Sequence, residues 1–318
     1  MKFFNKKNKL YPSIEPFNSG YLKKGIHEIY YEECGNPNGK PAIFLHGGPG
    51  GGAGSFSRRF FNPKKYHIVL FDQRGCGKST PYRSIKKNNT ITLVEDIEKI
   101  RNFLGLKKFI IVGGSWGATL ALRYAIKYPE NLHGILLRSV FLGTMDEIQW
   151  AFIDGPKTIA PDLFTQFKNL FPKSKNLIDS YYTEICEKNS KLHSWIWHDY
   201  ERILSQINPT EYKFDSHKLI LSRNNLPNSP FMELHYINNK FFMVDDEIVK
   251  NISSISKIPG IVVQGRYDLI CPPKNAFRLC EKWKKSKLIL VDTAGHSSSD
   301  PGIMEEMLDG LDQISKQI

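Results

Sequence analysis

The sequence has no apolar run long enough to cross a bilayer. Its longest, IIVGG at 110–114 and GILL at 134–137, fall far short of the ~20 residues a membrane span needs. The first nine residues include Lys2, Lys6, Lys7 and Lys9 and lack the apolar stretch of a secretory signal, so we expect a cytoplasmic protein with no membrane partner. Cysteine is sparse: Cys34, Cys76, Cys186, Cys271 and Cys280 form an odd set with no CxxC and no Cys/His cluster. That argues against a zinc site or a disulfide framework and for reduced thiols. No nucleic-acid motif accompanies the net charge of +12, and the lysines are scattered, which fits a solvated basic surface better than a nucleic-acid footprint. Internal repeats and low-complexity linkers are also missing.

What remains is a globular composition, 41% hydrophobic and 24% charged over 318 residues. This is enough for one large core carrying an insertion. From 26 to 140, apolar runs alternate with helical patterns. IHEIYYEEC, PAIFLHG, HIVLFDQ, FIIVGGS and GILLRSV read as strands, the later ones near-continuously apolar as in a parallel sheet covered on both faces. Between them, Leu93, Ile97, Ile100 and Leu104 recur at helical spacing, and WGATLALRYAIK is a small-residue helix ending before Pro129. The alternation stops at 141, gives way to aromatic-rich helical segments such as HSWIWHDYERIL, and resumes near 258 with IPGIVVQGR and KLILVD. We therefore expect an α/β fold: a mostly parallel sheet core flanked by helices, built from 1–140 and 250–318 and interrupted by a helical cap at 141–249.

Residues 113–117 read Gly-Gly-Ser-Trp-Gly, a G-x-S-x-G between a strand and a helix. A sharp turn there lifts a serine out of the sheet, and glycines leave room for the strained backbone. Ser115 is the candidate nucleophile. A serine hydroxyl needs a base, and this fold supplies Ser, acid and His in that chain order. Asp268 and His296 each follow a late strand and complete the expected triad. Asp292 lies only four residues before His296, and Asp300 comes after it. The loop HGGPGGG at 46–52 can bring the backbone N–H of Gly48 to an acyl oxygen, with that of Trp116 as second oxyanion donor. It lacks the G-x-x-x-x-G-K-[ST] pattern of a phosphate loop. His46 reads as structural.

With HGGPGGG at 46–52, FDQRGCGKSTP at 71–81, GGSWGATLAL at 113–122, GRYDLICP at 265–272 and AGHS at 294–297, the chain resembles the proline iminopeptidases of the α/β-hydrolase class. The resemblance implies release of N-terminal proline from small peptides, with no metal and no cofactor. It also implies cap glutamates that hold the prolyl amine. Glu201, in a Trp197-x-x-Tyr200-Glu201 variant of the family's Trp-x-x-Trp-Glu pattern, and Glu233, in Glu233-Leu234-His235-Tyr236, match those positions. Phe141 and Tyr236 are candidate walls for the pyrrolidine ring. A carboxylesterase or lactonase on the same triad is the alternative, because fold alone does not fix substrate.

Overall fold

The near-continuous apolar runs form the middle of a sheet. In the computed structural model, which describes residues 10–214 and 225–318, the strands are β1 (Asn18–Lys24), β2 (His27–Gly35), β3 (Lys40–Leu45), β4 (Tyr66–Phe71), β5 (Phe109–Ser115), β6 (Leu132–Val140), β7 (Gly260–Gly265) and β8 (Ser286–Val291). Their order is β1-β2-β4-β3-β5-β6-β7-β8. The β1–β2 and β2–β4 pairs are antiparallel, and every later pair is parallel. β4 and β7 are buried at every residue, as expected of strands covered on both faces. The sequence pattern does not predict β1. NSGYLKK carries little apolar surface, and the edge strand exists because its backbone pairs with β2.

After β3 comes one helical turn, α1 (Ser55–Arg58). α2 (Thr90–Phe103) then joins β4 to β5, burying Leu93, Ile97 and Ile100 on one face. Its N-terminus is set by Asn89, whose side chain accepts from Thr92 N at 2.9 Å while Thr92 Oγ1 accepts from Asn89 N at 3.2 Å. Such a cap is worth about 1 kcal/mol. α3 (Trp116–Lys127) joins β5 to β6 and is buried along most of its length.

Between β6 and β7 the described residues are helical: α4 (Met145–Gln149), α5 (Gly155–Ile159), α6 (Pro161–Asn169), α7 (Leu177–Tyr182), α8 (Lys191–Leu204), α9 (Ser229–Asn238) and α10 (Glu247–Asn251). Wider, π-type turns at Trp150–Asp154 and Thr183–Glu187 interrupt the pattern. Aromatic rings hold this layer together. Phe167 stacks on Tyr181 at 4.2 Å and on Tyr200 at 3.9 Å, and Trp197 stacks on Phe152 at 4.3 Å. Polar bonds fasten it to the sheet layer: Tyr236 OH donates to Asn88 Oδ1 (2.7 Å), Trp150 Nε1 to Leu269 O (2.9 Å), and Asn228 Nδ2 to Gly50 O (3.1 Å). α11 (Pro273–Lys282) and the closing α12 (Ile303–Ser315) complete the fold. No helix among the described residues is long and apolar enough to cross a membrane.

Candidate active site

β5 turns directly into α3 at Ser115, whose φ of 56° and ψ of −126° lie outside the ordinary regions for an L-residue. Two neighbouring glycines make the corner possible. A Cβ at Gly113 would lie 2.2 Å from the Gly117 carbonyl oxygen, and one at Gly117 would lie 2.3 Å from that of Leu45. The turn folds onto itself and onto β3, so no larger residue fits. Trp116 occupies the first helical position, where a backbone N–H has no partner within the helix.

The glycine-rich loop after β3 packs against this corner. A Cβ at Gly47 would lie 3.6 Å from that of Ser115. Gly48, at φ +113°, borders the same pocket as Ser115. His46 anchors the loop from within: its Nε2 accepts from Gln73 N at 3.0 Å, and its carbonyl accepts from Gln73 Nε2 at 2.8 Å. Gln73 Oε1 in turn accepts from the Trp116 indole at 2.9 Å. Burial pushes the His46 pKa down, which keeps Nε2 free to accept. Both ring nitrogens of His46 are thus engaged in scaffolding, Nδ1 lying 2.9 Å from the Gly47 carbonyl.

Nδ1 of His296 lies 3.0 Å from Asp268 Oδ1 and 3.1 Å from Oδ2. The carboxylate is buried and fixed from three sides. Oδ1 accepts from Ile270 N (3.1 Å) and Cys271 N (2.8 Å), and Oδ2 accepts from Gln264 Nε2 (3.1 Å). The other two aspartates of this region are occupied elsewhere. Asp292 meets Arg266 at the surface (2.7 Å), and Asp300 takes the Gly295 N–H (2.7 Å). The Ser115 hydroxyl makes no hydrogen bond to His296 in this geometry; such contacts commonly tighten only around a substrate. Their loops are nevertheless joined. The guanidinium of Arg138 fills the space beside Gly114 and donates to the His296 carbonyl.

Above Ser115 lies a pocket walled by Phe141, Ile148, Phe152, Ile237, Phe241 and Ile270 and bordered by Glu201, Glu233 and Cys271. Phe141 faces it as expected. Tyr236 does not: its ring packs on Trp116 at 4.9 Å, and its hydroxyl is held by Asn88. Glu233 is 4% exposed. Its Oε2 accepts from Trp197 Nε1 at 2.8 Å, while Oε1 is buried without a donor. Burial pushes both carboxyls above the usual range, and the neighbouring Glu201 pushes Glu233 further. Two adjacent acids in an apolar pocket favour a proton or a cation between them. The pairing of Trp197 with Glu233 was not legible in the sequence, because the two are joined only across the α8–α9 interface. Among the described residues, no group of three His, Cys, Asp or Glu side chains is arranged to hold a metal.

Known proteins share this plan. Residues 40–302 match the family model described as alpha/beta hydrolase fold. A probable proline iminopeptidase of Leptolyngbya boryana is 40% identical over 97% of each chain. The proline iminopeptidase of Arabidopsis thaliana is 39% identical over 96% of this chain and 82% of its own. A proline iminopeptidase-related protein of Thermus thermophilus superposes with a TM-score of 0.67 at 20% identity, covering 95% of this chain and 99% of that one, which supports the fold alone. The chain therefore belongs to the proline iminopeptidase family of α/β-hydrolase enzymes.

Proposed function

We propose that the protein is a serine aminopeptidase that releases N-terminal proline from small peptides through an acyl-enzyme. The observation that carries this reading is the placement of Glu201 and Glu233 in the same apolar pocket as Ser115. A peptide beginning with proline offers a cationic secondary amine attached to a small apolar ring. The donor-less Oε1 of Glu233 and the adjacent Glu201 accept the amine, and Phe141, Phe152 and Phe241 enclose the ring. The stretch 141–249, whose described residues are largely helical, serves as a cap, and its carboxylates leave no room for a residue before the proline.

The prolyl carbonyl then faces Ser115. His296 takes the hydroxyl proton as Oγ bonds to the carbonyl carbon, and the N–H groups of Gly48 and Trp116 stabilise the oxyanion. His296 passes that proton to the leaving amine as the C–N bond breaks. Water, deprotonated by His296, attacks the acyl carbon and releases proline, restoring the Ser115 hydroxyl. Asp268 holds Nδ1–H of the imidazole and stabilises its cation at each transfer. Metal and cofactor play no part in these steps.

The test compares a proline arylamide with a simple acyl ester lacking an amine. The prolyl amide should be the far better substrate by kcat/KM, and Ser115→Ala should abolish both activities. A clear preference for the ester would replace this reading with a carboxylesterase.

A further inference from the structure

Arg138 sits near the C-terminal end of β6, directly beside Gly114 in the β5–β6 register. A Cβ on Gly114 would lie 2.6 Å from Arg138 Nη2 and 2.8 Å from Nε, so glycine at 114 leaves the space that the guanidinium occupies. From there Arg138 Nη1 donates to the main-chain carbonyl of His296 and to Ser139 Oγ at 3.0 Å. Ser139, fully buried at φ +49°, donates to the same carbonyl at 3.3 Å. Arg138 forms no ion pair with a carboxylate among the described residues, so the carbonyl is a principal acceptor for this cation.

A guanidinium is rigid, planar and always charged, which suits it to holding a loop carbonyl at a fixed distance. The Asp268 contact sets the tilt of the imidazole through Nδ1 but does not engage the main-chain carbonyl of His296. The peptides on either side of His296 are held as well, Gly295 N donating to Asp300 Oδ2 at 2.7 Å and Ser297 N to Ser205 O at 2.8 Å, so Arg138 is the charged group that grips the His296 carbonyl itself.

We propose that Arg138 is a positioning residue that sets the distance between His296 and Ser115: it is lodged against the residue preceding the serine and grips the carbonyl of the histidine. The role of Ser139 is to share that carbonyl and orient the guanidinium. This rests on the reading of His296 as the base that serves Ser115. Arg138 touches neither the amine pocket nor the reacting atoms.

The experiment measures the labelling rate of Ser115 by a fluorophosphonate, together with kcat and KM on a proline arylamide, in the wild type and in Arg138→Met, Arg138→Lys, Gly114→Ala, the double variant Gly114→Ala/Arg138→Met, and His296→Ala. Labelling and kcat should fall together by about 10- to 100-fold in Arg138→Met, the scale of a misplacement near 1 Å. KM and inhibition by free proline should stay within about twofold, and Arg138→Lys should recover part of the rate. Gly114→Ala, which displaces the guanidinium, should slow the wild type but add little in the Arg138→Met background, the non-additivity expected of a shared contact. Unchanged labelling in folded Arg138→Met overturns the proposal, as do additive single effects. If Arg138→Met does not fold, Arg138→Lys and Gly114→Ala decide: full wild-type labelling in both overturns it. Undiminished labelling in His296→Ala would instead overturn the underlying assignment of the base.

Discussion

The indole Nε1 of Trp197 donates to Glu233 Oε2 at 2.8 Å and leaves Oε1, buried, without a donor. One oxygen of the carboxyl is thereby committed to the protein and the other is kept for something else. Trp197 is itself stacked on Phe152, a wall of the pocket, so the indole ties the acid to the apolar lining.

Replacing Trp197 with Phe should release Glu233 while keeping most of the ring contact. A hydrogen bond to a charged group contributes about 1.5–3 kcal/mol, so affinity for free proline should fall roughly tenfold or more. Hydrolysis of an ester without an amine should be little changed. Competitive inhibition by proline, measured beside ester kinetics, reads both; equal losses would separate Trp197 from amine binding.

Glu233→Gln should weaken prolyl substrates far more than neutral esters, by the same comparison. It should also alter the pH dependence of stability. Burial and Glu201 raise the folded-state pKa of Glu233 above the ordinary 4.5, so between those values the folded protein holds a proton that the unfolded chain has released. Glu233 therefore subtracts stability as pH rises from 4.5 through its folded pKa, and glutamine does not. The melting temperature of Glu233→Gln minus that of the wild type should grow as the pH rises above 4.5. A flat or falling difference would contradict this.

Ser115→Ala and Ser115→Gly should both be inactive yet differ in stability. At φ 56° and ψ −126° an alanine keeps the backbone strain, which costs on the order of 1–3 kcal/mol, while a glycine relieves it. Greater chain entropy in the unfolded glycine variant offsets part of the gain. Thermal unfolding should place the glycine variant above the alanine variant by about 1 kcal/mol.

Asp268→Asn should lower kcat by about four orders of magnitude, because an amide N–H₂ facing Nδ1 selects the wrong imidazole tautomer. KM should move little. The pocket is walled by other residues, and the neighbouring Ile270 and Cys271 amides still find an oxygen acceptor. Steady-state kinetics on the proline arylamide checks the split.

The sequence alone determined what local pattern encodes. The apolar runs become β4 to β7 because a strand covered on both faces needs no polar residue. The Gly-Gly-Ser-Trp-Gly corner is legible because the backbone at Ser115 admits few neighbours, and the helix at Thr90–Phe103 is legible because its apolar residues recur at helical spacing. β1 was not legible, since the pairing partner rather than the side chains makes it a strand. Tertiary structure alone decided contacts that no motif names: Trp197 with Glu233 across 36 positions and Arg138 with the His296 carbonyl across 158, whereas the pairing of Asp268 with His296 across 28 was expected from their order along the chain. No periodicity records such contacts, because they depend on where loops from separate strands converge. A carboxylate or guanidinium has the same local signature whether it is solvated or buried against a partner, and only the folded chain removes the water and supplies the partner.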